Sequence, residues 1–293
     1  MAEVGTYLLT NVGFDRSQTP CISLQKDGEY IDISPLGKTL TLRFDTSSRF
    51  CVGWRDITTG ERFTCPDNQT VESKYEQCSA CQKRTGFNPA FYNATSVSDQ
   101  QEARNLEPHL LYLAHFGQGT VKVGISHAAR GNSRLLEQGA RSAIILETFP
   151  SAHIARQYEA KIAALPGIAE TIQLRKKIAS LSQPYDTKAA ATELLTVKDG
   201  IEKTIGSKFQ QDNILHLDDI FFPSGKPALS DAYDCTEHSF VSGKVTGMLG
   251  SVLFCDHQDT PVFLPLKKLV GYPVTISESE TTIPMPARQI SLF

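Results

Sequence analysis

Residues 110–126, LLYLAHFGQGTVKVGIS, carry the clearest structural pattern in this sequence. Two short apolar runs flank GQG, and glycine tolerates the positive φ angles of tight hairpin turns, so a strand hairpin is predicted. Residues 133–140, SRLLEQGA, have helical spacing, and 142–149, SAIILETF, form a third predicted strand. A second helix is predicted over 151–165, with Ser151 as its N-cap. This order of elements predicts an α/β unit in the middle of the chain.

The regions on either side of this unit have different patterns. Residues 1–105 contain alternating and β-branched stretches that predict strands. Two more helices are predicted over 168–181 and 187–205. Closely spaced glycines and turn residues between short apolar runs near the C-terminus are typical of a small β-barrel. We therefore predict an α+β protein of several domains. The predicted units are 1–105, 106–210, 211–277 and a flexible tail over 278–293.

Charge and hydropathy narrow the possible classes of protein. The formal net charge of the 293 residues is −3, which argues against nucleic-acid binding by charge alone. However, nine basic and five acidic residues lie between Leu106 and Ser182. Such a basic segment suits an anion-binding patch, although a solvated helical face would give the same count. The N-terminus resembles no export signal and the apolar runs are short, so we expect a cytoplasmic protein without membrane contact.

Four of the seven cysteines form a cluster in the sequence: Cys51, Cys65, Cys78 and Cys81. The cytosol keeps thiols reduced, which disfavours disulfides. Zinc prefers four tetrahedral thiolates in structural sites, and a C-x2-C pair supplies two of them from one turn. The alternative is four small buried apolar residues, which the polar segment CSAC does not favour. We therefore predict structural Zn²⁺ here.

A second metal site is conceivable further along the chain. Cys235 and His238 have the spacing C-x2-H, and Cys255 and His257 the spacing C-x-H. Cys255 follows the strand-like run SVLF. A buried cysteine beside a loop histidine is therefore the favoured interpretation of both pairs.

The central segments YLAHFGQGTVKVGISHAARGNSRLLEQGA and ARQYEAKI resemble the GIY-YIG nuclease superfamily, including phage-type variants whose second motif is KIG. Tyr112 matches the tyrosine of the first motif, and Val123 and Gly124 match the end of the second. Arg134 resembles the arginine of the family, and Glu159 resembles its single metal-binding glutamate. The resemblance covers less than a fifth of the chain. It implies metal-dependent phosphodiester cleavage with Mg²⁺ or Mn²⁺ at the glutamate.

The chemistry that this resemblance implies suits these residue types. A guanidinium can clamp the charge that develops on a phosphoryl group, and a lone glutamate leaves most of a magnesium shell to water and phosphate. Tyr112 or Lys122, which stands where the superfamily usually has tyrosine, would handle the proton of the attacking water. Arg130 competes with Arg134 for the phosphate, because the interval after the second motif is longer than usual. His127 is an alternative base.

The same residues also have purely structural interpretations. Tyr112 alternates with leucines and would suit a core, Arg134 would suit a surface pair with Glu137, and Glu159 would suit an exposed helix position. Alanines lie four residues before and after Glu159, however. These small side chains would let the helix lie close to a sheet, which favours a functional position.

The whole chain also resembles an uncharacterised bacterial and archaeal family of unknown function. Its members combine a cysteine-bearing β region, a segment like KVGIS...R...EQGA and a terminal segment like GKVTGMLGSVLF. This second resemblance supports the order of the predicted units. It implies no activity.

The C-terminal pentapeptide QISLF resembles the motif by which bacterial replication and repair proteins dock on the DNA sliding clamp. Leu292 and Phe293 would fill an apolar pocket of the clamp, and Gln289 would form a hydrogen bond at its rim. Tethering to the clamp would also raise the local concentration of an acidic protein at DNA, so that it would need few contacts to DNA phosphates. The alternative is a C-terminal strand or plug that packs against the protein's own core.

Two hypotheses follow from the sequence. The first is a metal-dependent DNA endonuclease that the sliding clamp recruits for repair or replication. The second is a catalytically inactive, zinc-containing DNA-binding accessory protein. An RNA-directed role is also possible, because a small β-barrel can bind either polymer.

Overall fold

The computed structural model describes residues 5–87, 97–227, 229 and 232–285. In this part of the chain the protein is a mixed α/β structure with seven α-helices and two large β-sheets. None of these helices is both long enough and apolar enough to cross a membrane. The first elements are β1 (Gly5–Phe14), β2 (Pro20–Lys26), β3 (Glu29–Ile33), β4 (Thr39–Phe44), β5 (Trp54–Arg55), β6 (Arg62–Phe63), α1 (Ser79–Thr85) and α2 (Asp99–Asn105).

The element order predicted for the central unit is confirmed. Its elements are β7 (His109–Gly117), β8 (Thr120–His127), α3 (Ser133–Gln138), β9 (Ser142–Phe149), α4 (Ala152–Ala163), β10 (Ile168–Ala169), α5 (Leu174–Leu181), α6 (Thr187–Ile205) and β11 (Ile214–His216). Gly119 turns the β7-β8 hairpin with a φ of 66°. Ser151 caps α4 by accepting a hydrogen bond from the Ile154 N–H at 3.4 Å.

The central strands form one five-stranded sheet in the order β10-β8-β7-β9-β11. All neighbours are antiparallel except β10, which lies parallel to β8. Ile168 pairs with Val121, and Ala169 pairs with Lys122. The helix predicted from residue 168 therefore begins only at Leu174, because the chain first adds a strand to the sheet edge.

The remaining elements are α7 (Asp218–Phe221), β12 (Tyr233–Asp234), β13 (Phe240–Leu249), β14 (Val252–His257), β15 (Thr260–Pro265) and β16 (Pro273–Ser277). They do not form the predicted separate barrel within the described residues. Instead, β13 pairs with β4, and β16 lies between β4 and β1, in a nine-stranded sheet of order β12-β15-β14-β13-β4-β16-β1-β2-β3. Strands from the N-terminal region take the hydrogen bonds that barrel closure would have needed. The proposed domain boundaries stay predictions.

Three apolar cores hold these sheets. Leu42 of β4 and Val241 of β13 share a core, so both ends of the chain contribute to it. Phe116 of β7 and Phe254 of β14 lie in a second core, where the central sheet meets the nine-stranded sheet together with α3, α5 and α7. Leu194 of α6 belongs to a third core on the opposite face of the central sheet. The central sheet is thus covered on both faces, and polar groups can face solvent only where this cover is incomplete.

The first residues of the predicted tail contact the nine-stranded sheet. The Ile283 N–H donates a hydrogen bond to Nε2 of the buried His257 at 3.3 Å. Glu280 Oε1 lies 2.8 Å from Nδ1 of the same ring. The Ile283 side chain is buried in the core of the nine-stranded sheet. Residues 280–283 are therefore packed on the sheet.

Candidate functional site

Tyr112 lies fully buried in the middle of β7. Its cross-strand neighbour on β8 is Gly124, and a methyl group at position 124 would overlap the phenol hydroxyl. Glycine is therefore required for the ring to lie across β8. Burial raises the pKa of the Tyr112 phenol, and Glu159 adds to this rise. The phenol consequently keeps its proton at neutral pH.

Helix α3 brings two further groups to this phenol. Arg134 and Gln138 lie four residues apart and so share one face of the helix. Gln138 Nε2 donates a hydrogen bond to Tyr112 Oη at 2.8 Å. The Arg134 guanidinium lies close enough to oppose the rise in the pKa of the phenol. Because 44% of the Arg134 side chain is exposed, the guanidinium can also contact a ligand from solvent.

Lys122 lies two residues before Gly124 and therefore on the same face of β8. Its Nζ donates hydrogen bonds to the main-chain carbonyls of Glu170 at 2.7 Å and Val123 at 3.2 Å. Burial lowers the pKa of the Lys122 amine; Glu159 opposes this effect, and Arg134 adds to it. In its neutral form the Lys122 amine has two N–H groups and one lone pair. If both N–H groups donate to these carbonyls, the lone pair can accept a proton.

Glu159 is the carboxylate of the site. It lies on α4, which packs across β7 and β8, and only 12% of its side chain is exposed. Arg156, one helical turn earlier, forms an ion pair with Oε2. Glu159 interacts electrostatically with both Tyr112 and Lys122. The charges of Glu159 and Arg134 thus both act on Tyr112 and Lys122.

Lys177 of α5 is an additional cation at the site, which no motif in the sequence indicated. Its Nζ donates a hydrogen bond to the Gln138 main-chain carbonyl at 2.5 Å and lies 5.1 Å from the centre of the Phe116 ring. Burial lowers the pKa of Lys177 to about 8, with further contributions from Lys122 and Arg134. The run RKK at 175–177 was the available signal. Three adjacent basic residues do not reveal which of them faces the protein.

Arg130 and His127 contact two other carboxylates, those of Glu137 and Glu107, beside this constellation. Arg130 Nη2 lies 2.6 Å from both carboxylate oxygens of Glu137. His127 Nε2 contacts the Glu107 carboxylate, and its Nδ1 accepts a hydrogen bond from the Ala129 N–H at 3.3 Å. Both side chains thus hold the turn between β8 and α3. The catalytic roles assigned to the predicted residues stay predictions.

The four clustered cysteines converge on one point. Cys51, Cys65, Cys78 and Cys81 are all buried, and their sulfur atoms lie within 4.8 Å of one another. Zinc held by four thiolates at about 2.3 Å needs sulfurs about 3.8 Å apart. The Cys65–Cys78 sulfur distance of 4.0 Å fits this requirement. This cluster could therefore hold a zinc ion.

Main-chain and side-chain contacts position these thiols. The Cys78 N–H donates a hydrogen bond to Cys51 Sγ at 3.2 Å, an interaction that stabilises a thiolate. The neighbouring apolar contacts are limited to the half-buried Trp54 and Val71 among the described residues. Arg49 Nε donates to the Val270 carbonyl at 2.7 Å and so joins residues 49–85 to the nine-stranded sheet. These residues are called the zinc module after the ion that their cysteines could hold.

The second cysteine-histidine group does not form a metal site in the described part of the chain. Cys235 and Cys255 are buried in the apolar core, as favoured from the sequence. His238 Nε2 lies 2.7 Å from Tyr233 Oη, and His257 binds the C-terminal segment. The clamp-binding residues predicted in the tail, Gln289, Leu292 and Phe293, lie outside the described residues.

Replacing Gly124 with alanine should disturb the site without unfolding the protein. The added methyl group would force the Tyr112 ring away from β8 and break its hydrogen bond to Gln138. We expect a loss of about 1–3 kcal/mol of unfolding free energy from overpacking. Gly200→Ala is the control, because position 200 is helical with open space around it, and alanine there should stabilise the protein. Urea unfolding of both variants measures this difference, and equal stabilities would contradict the predicted overlap.

Comparison with known proteins identifies the family of the chain. Searches of curated proteins and of solved structures gave no significant match. A family model described as a protein of unknown function, DUF2797, matches residues 37–274. This match spans the cysteine cluster, the central sheet and most of the C-terminal strands. The chain therefore belongs to the DUF2797 family of proteins of unknown function.

Proposed function

We propose that this protein is a metal-dependent endonuclease that hydrolyses phosphodiester bonds in DNA during repair or replication. The observation that carries the proposal is the gathering of one carboxylate, one buried phenol and several cations at the β7-β8 hairpin. Lys122, Arg134 and Lys177 approach from a strand and two helices. Positive charges concentrated in this way would bind and orient a phosphodiester.

Lys122 is the best candidate for the base. The raised pKa of Tyr112 makes a phenolate unfavourable, whereas burial lowers the pKa of Lys122. Two of the amine's protons already go to main-chain carbonyls. In its neutral form Lys122 would accept a proton from the attacking water. It would thus take the role that the superfamily usually gives to tyrosine, while Tyr112 and Gln138 position neighbouring groups.

Glu159 would bind a divalent cation only together with the substrate, whose phosphate oxygens would supply further ligands. Among the described residues Glu159 belongs to no group of three or more potential metal ligands. One carboxylate plus water and phosphate oxygens is a suitable shell for Mg²⁺ or Mn²⁺. The surrounding lysines and arginines would repel a free cation, so metal and phosphate would bind together. The metal would neutralise charge on the phosphoryl oxygens.

A direct test uses branched, nicked and single-stranded DNA with Mg²⁺ or Mn²⁺. Wild-type protein should give cleavage products, and Glu159→Gln should reduce their rate of formation to background. Glu29→Gln is the matched control, because Glu29 is an exposed carboxylate at the start of β3. Wild-type protein without products, or undiminished cleavage by Glu159→Gln, would refute the proposed activity. RNA substrates in the same assay test the alternative polymer.

A second candidate function is nucleic-acid binding without turnover. The ion pair between Arg156 and Glu159 favours it, because a carboxylate held in this way is less available to a metal. This function predicts binding of the same substrates without products. Clamp recruitment remains a proposal based on the tail motif. Removal of Leu292 and Phe293 should abolish co-purification with the clamp, and equal recovery would reject it.

Substrate affinity should fall as the pH rises through about 8. The pKa of Lys177 is lowered to about 8, so its positive charge is complete below that pH and lost above it. Oligonucleotide affinity should therefore decrease between pH 7 and 9, and Lys177→Met should flatten this part of the profile. Lys177→Arg, which stays charged, should bind with little pH dependence over the same range. An unchanged profile in Lys177→Met would exclude this lysine as the titrating group.

A further inference from the structure

The β5-β6 hairpin of the zinc module places two arginines directly opposite each other. Arg55 pairs with Arg62 across the two strands, an arrangement that is unfavourable for like charges. Arg62 is compensated by Asp32, whose oxygens lie 2.8 and 2.9 Å away. Arg55 Nε instead donates to the Gly60 carbonyl at 3.0 Å. This acceptor fixes the side chain but does not neutralise its charge.

Other cations extend the same surface towards the candidate site. Arg104 of α2 donates to the main-chain carbonyl of Ile57, which again carries no formal charge. Burial lowers the pKa of Arg55, and Arg62, Arg130 and Arg104 lower it further while Glu137 opposes them, so these groups surround the Arg55 guanidinium. Arg130 shares Glu137 with Arg134, which lies 3.8 Å from that carboxylate. A path of positive charge thus leads from the hairpin to Arg134.

The hairpin also carries an aromatic surface. Trp54 and Phe63 stack with ring centres 4.1 Å apart, and both are half-buried. The exposed Arg84 at the end of α1 lies 6.0 Å from the Trp54 ring. Nucleic-acid bases stack on aromatic rings while arginines contact the adjacent phosphates. Three acidic groups near this surface are engaged, Asp32 with Arg62, Glu137 with Arg130, and Asp56 with its own turn, whereas Glu61 of the hairpin is exposed.

We propose that this surface, formed by Trp54, Arg55, Arg84 and Arg104, binds the nucleic-acid strand that flanks the bond cleaved near Arg134. The inference rests on the proposed function for the location of that bond. It adds a role for the zinc module, which would hold the hairpin in place. Strand binding would occur by phosphate contacts and stacking, without reading of base edges.

The test measures binding of a fluorescent single-stranded DNA of about 20 nucleotides in the Glu159→Gln background, without added Mg²⁺ or Mn²⁺. Arg55→Gln combined with Arg84→Gln should weaken binding at least about tenfold at low salt and reduce the salt slope by about 1.4, which corresponds to two phosphate contacts. Lys188→Gln combined with Lys203→Gln removes the same charge from exposed positions on α6 and should change affinity less than about twofold. Equal losses in both pairs would overturn the proposal.

Trp54 provides an independent signal because it is the only tryptophan in the chain. Its fluorescence should change with the same apparent affinity as the anisotropy of the DNA. Binding without any Trp54 response would place the strand elsewhere. Zinc content and melting temperature verify that the variants fold. Should the double variant misfold, Arg84→Gln alone should still weaken binding, and unchanged affinity would overturn the proposal.

The outcomes separate this inference from the proposed activity. Binding that depends on Arg55 and Arg84 in a protein that cuts no substrate would retain the binding surface and reject the nuclease. Cleavage that depends on Glu159 but is insensitive to Arg55 and Arg84 would retain the nuclease and reject the surface.

Discussion

Arg134→Ala should lower kcat for phosphodiester cleavage by about 100- to 1000-fold, the effect expected when one donor to a developing anionic charge is removed. Arg134 is the arginine that reaches the Tyr112 hydroxyl and influences both Lys122 and Lys177. Its exposed guanidinium can contact the scissile phosphate from the solvent side. Single-turnover cleavage at saturating protein would measure this loss directly.

Arg130→Ala is the matched control. Both arginines lie within one short segment, but Arg130 is held by two contacts to Glu137, and the pKa of Tyr112 responds to Arg134. We expect the kcat of Arg130→Ala to stay within about twofold of the wild-type value. Any effect should appear in KM, because Arg130 would contribute to substrate binding alone. A larger loss of kcat in Arg130→Ala than in Arg134→Ala would reverse the assignment of the phosphate-contacting residue.

Cys81→Ser should abolish stoichiometric zinc binding and unfold the zinc module. Purified wild-type protein should carry about one zinc per chain, as four converging thiolates require. Zinc binding contributes about 10–16 kcal/mol to the folding free energy of small zinc domains. The zinc module has little apolar core that could supply this stability without the metal. Elemental analysis measures the zinc, and a red shift of Trp54 emission reports exposure of the module.

Cys21→Ser provides the control for this experiment. Cys21 is half-buried on β2, outside the cluster, so its replacement should leave both zinc content and Trp54 emission unchanged. A metal-free wild-type protein with a cooperative melt that chelators do not affect would contradict the zinc site. In that case the four cysteines would be buried thiols that pack as small apolar residues.

The sequence predicted the local parts of the candidate site well. Helical spacing placed Arg134 on α3, and the strand alternation placed Tyr112 within β7. Gln138 could have been found from the same spacing, because it lies four residues after Arg134. Lys177 could not, because its position depends on how α5 packs against the hairpin and not on its own helix. The choice between Arg130 and Arg134 likewise depended on the conformation of a turn.

Local patterns in the sequence determined the central hairpin and the capped helix α4, because hydrogen bonds and side-chain periodicity within a few residues specify them. Only the tertiary structure decided that β13 and β16 join β4 and not each other in a barrel. The unpaired N–H and C=O groups at a strand edge bond to the partner strand that also buries an apolar face against the same core. That partner lay some 200 residues away along the chain, as the pairing of Leu42 with Val241 shows, beyond the range of any local pattern.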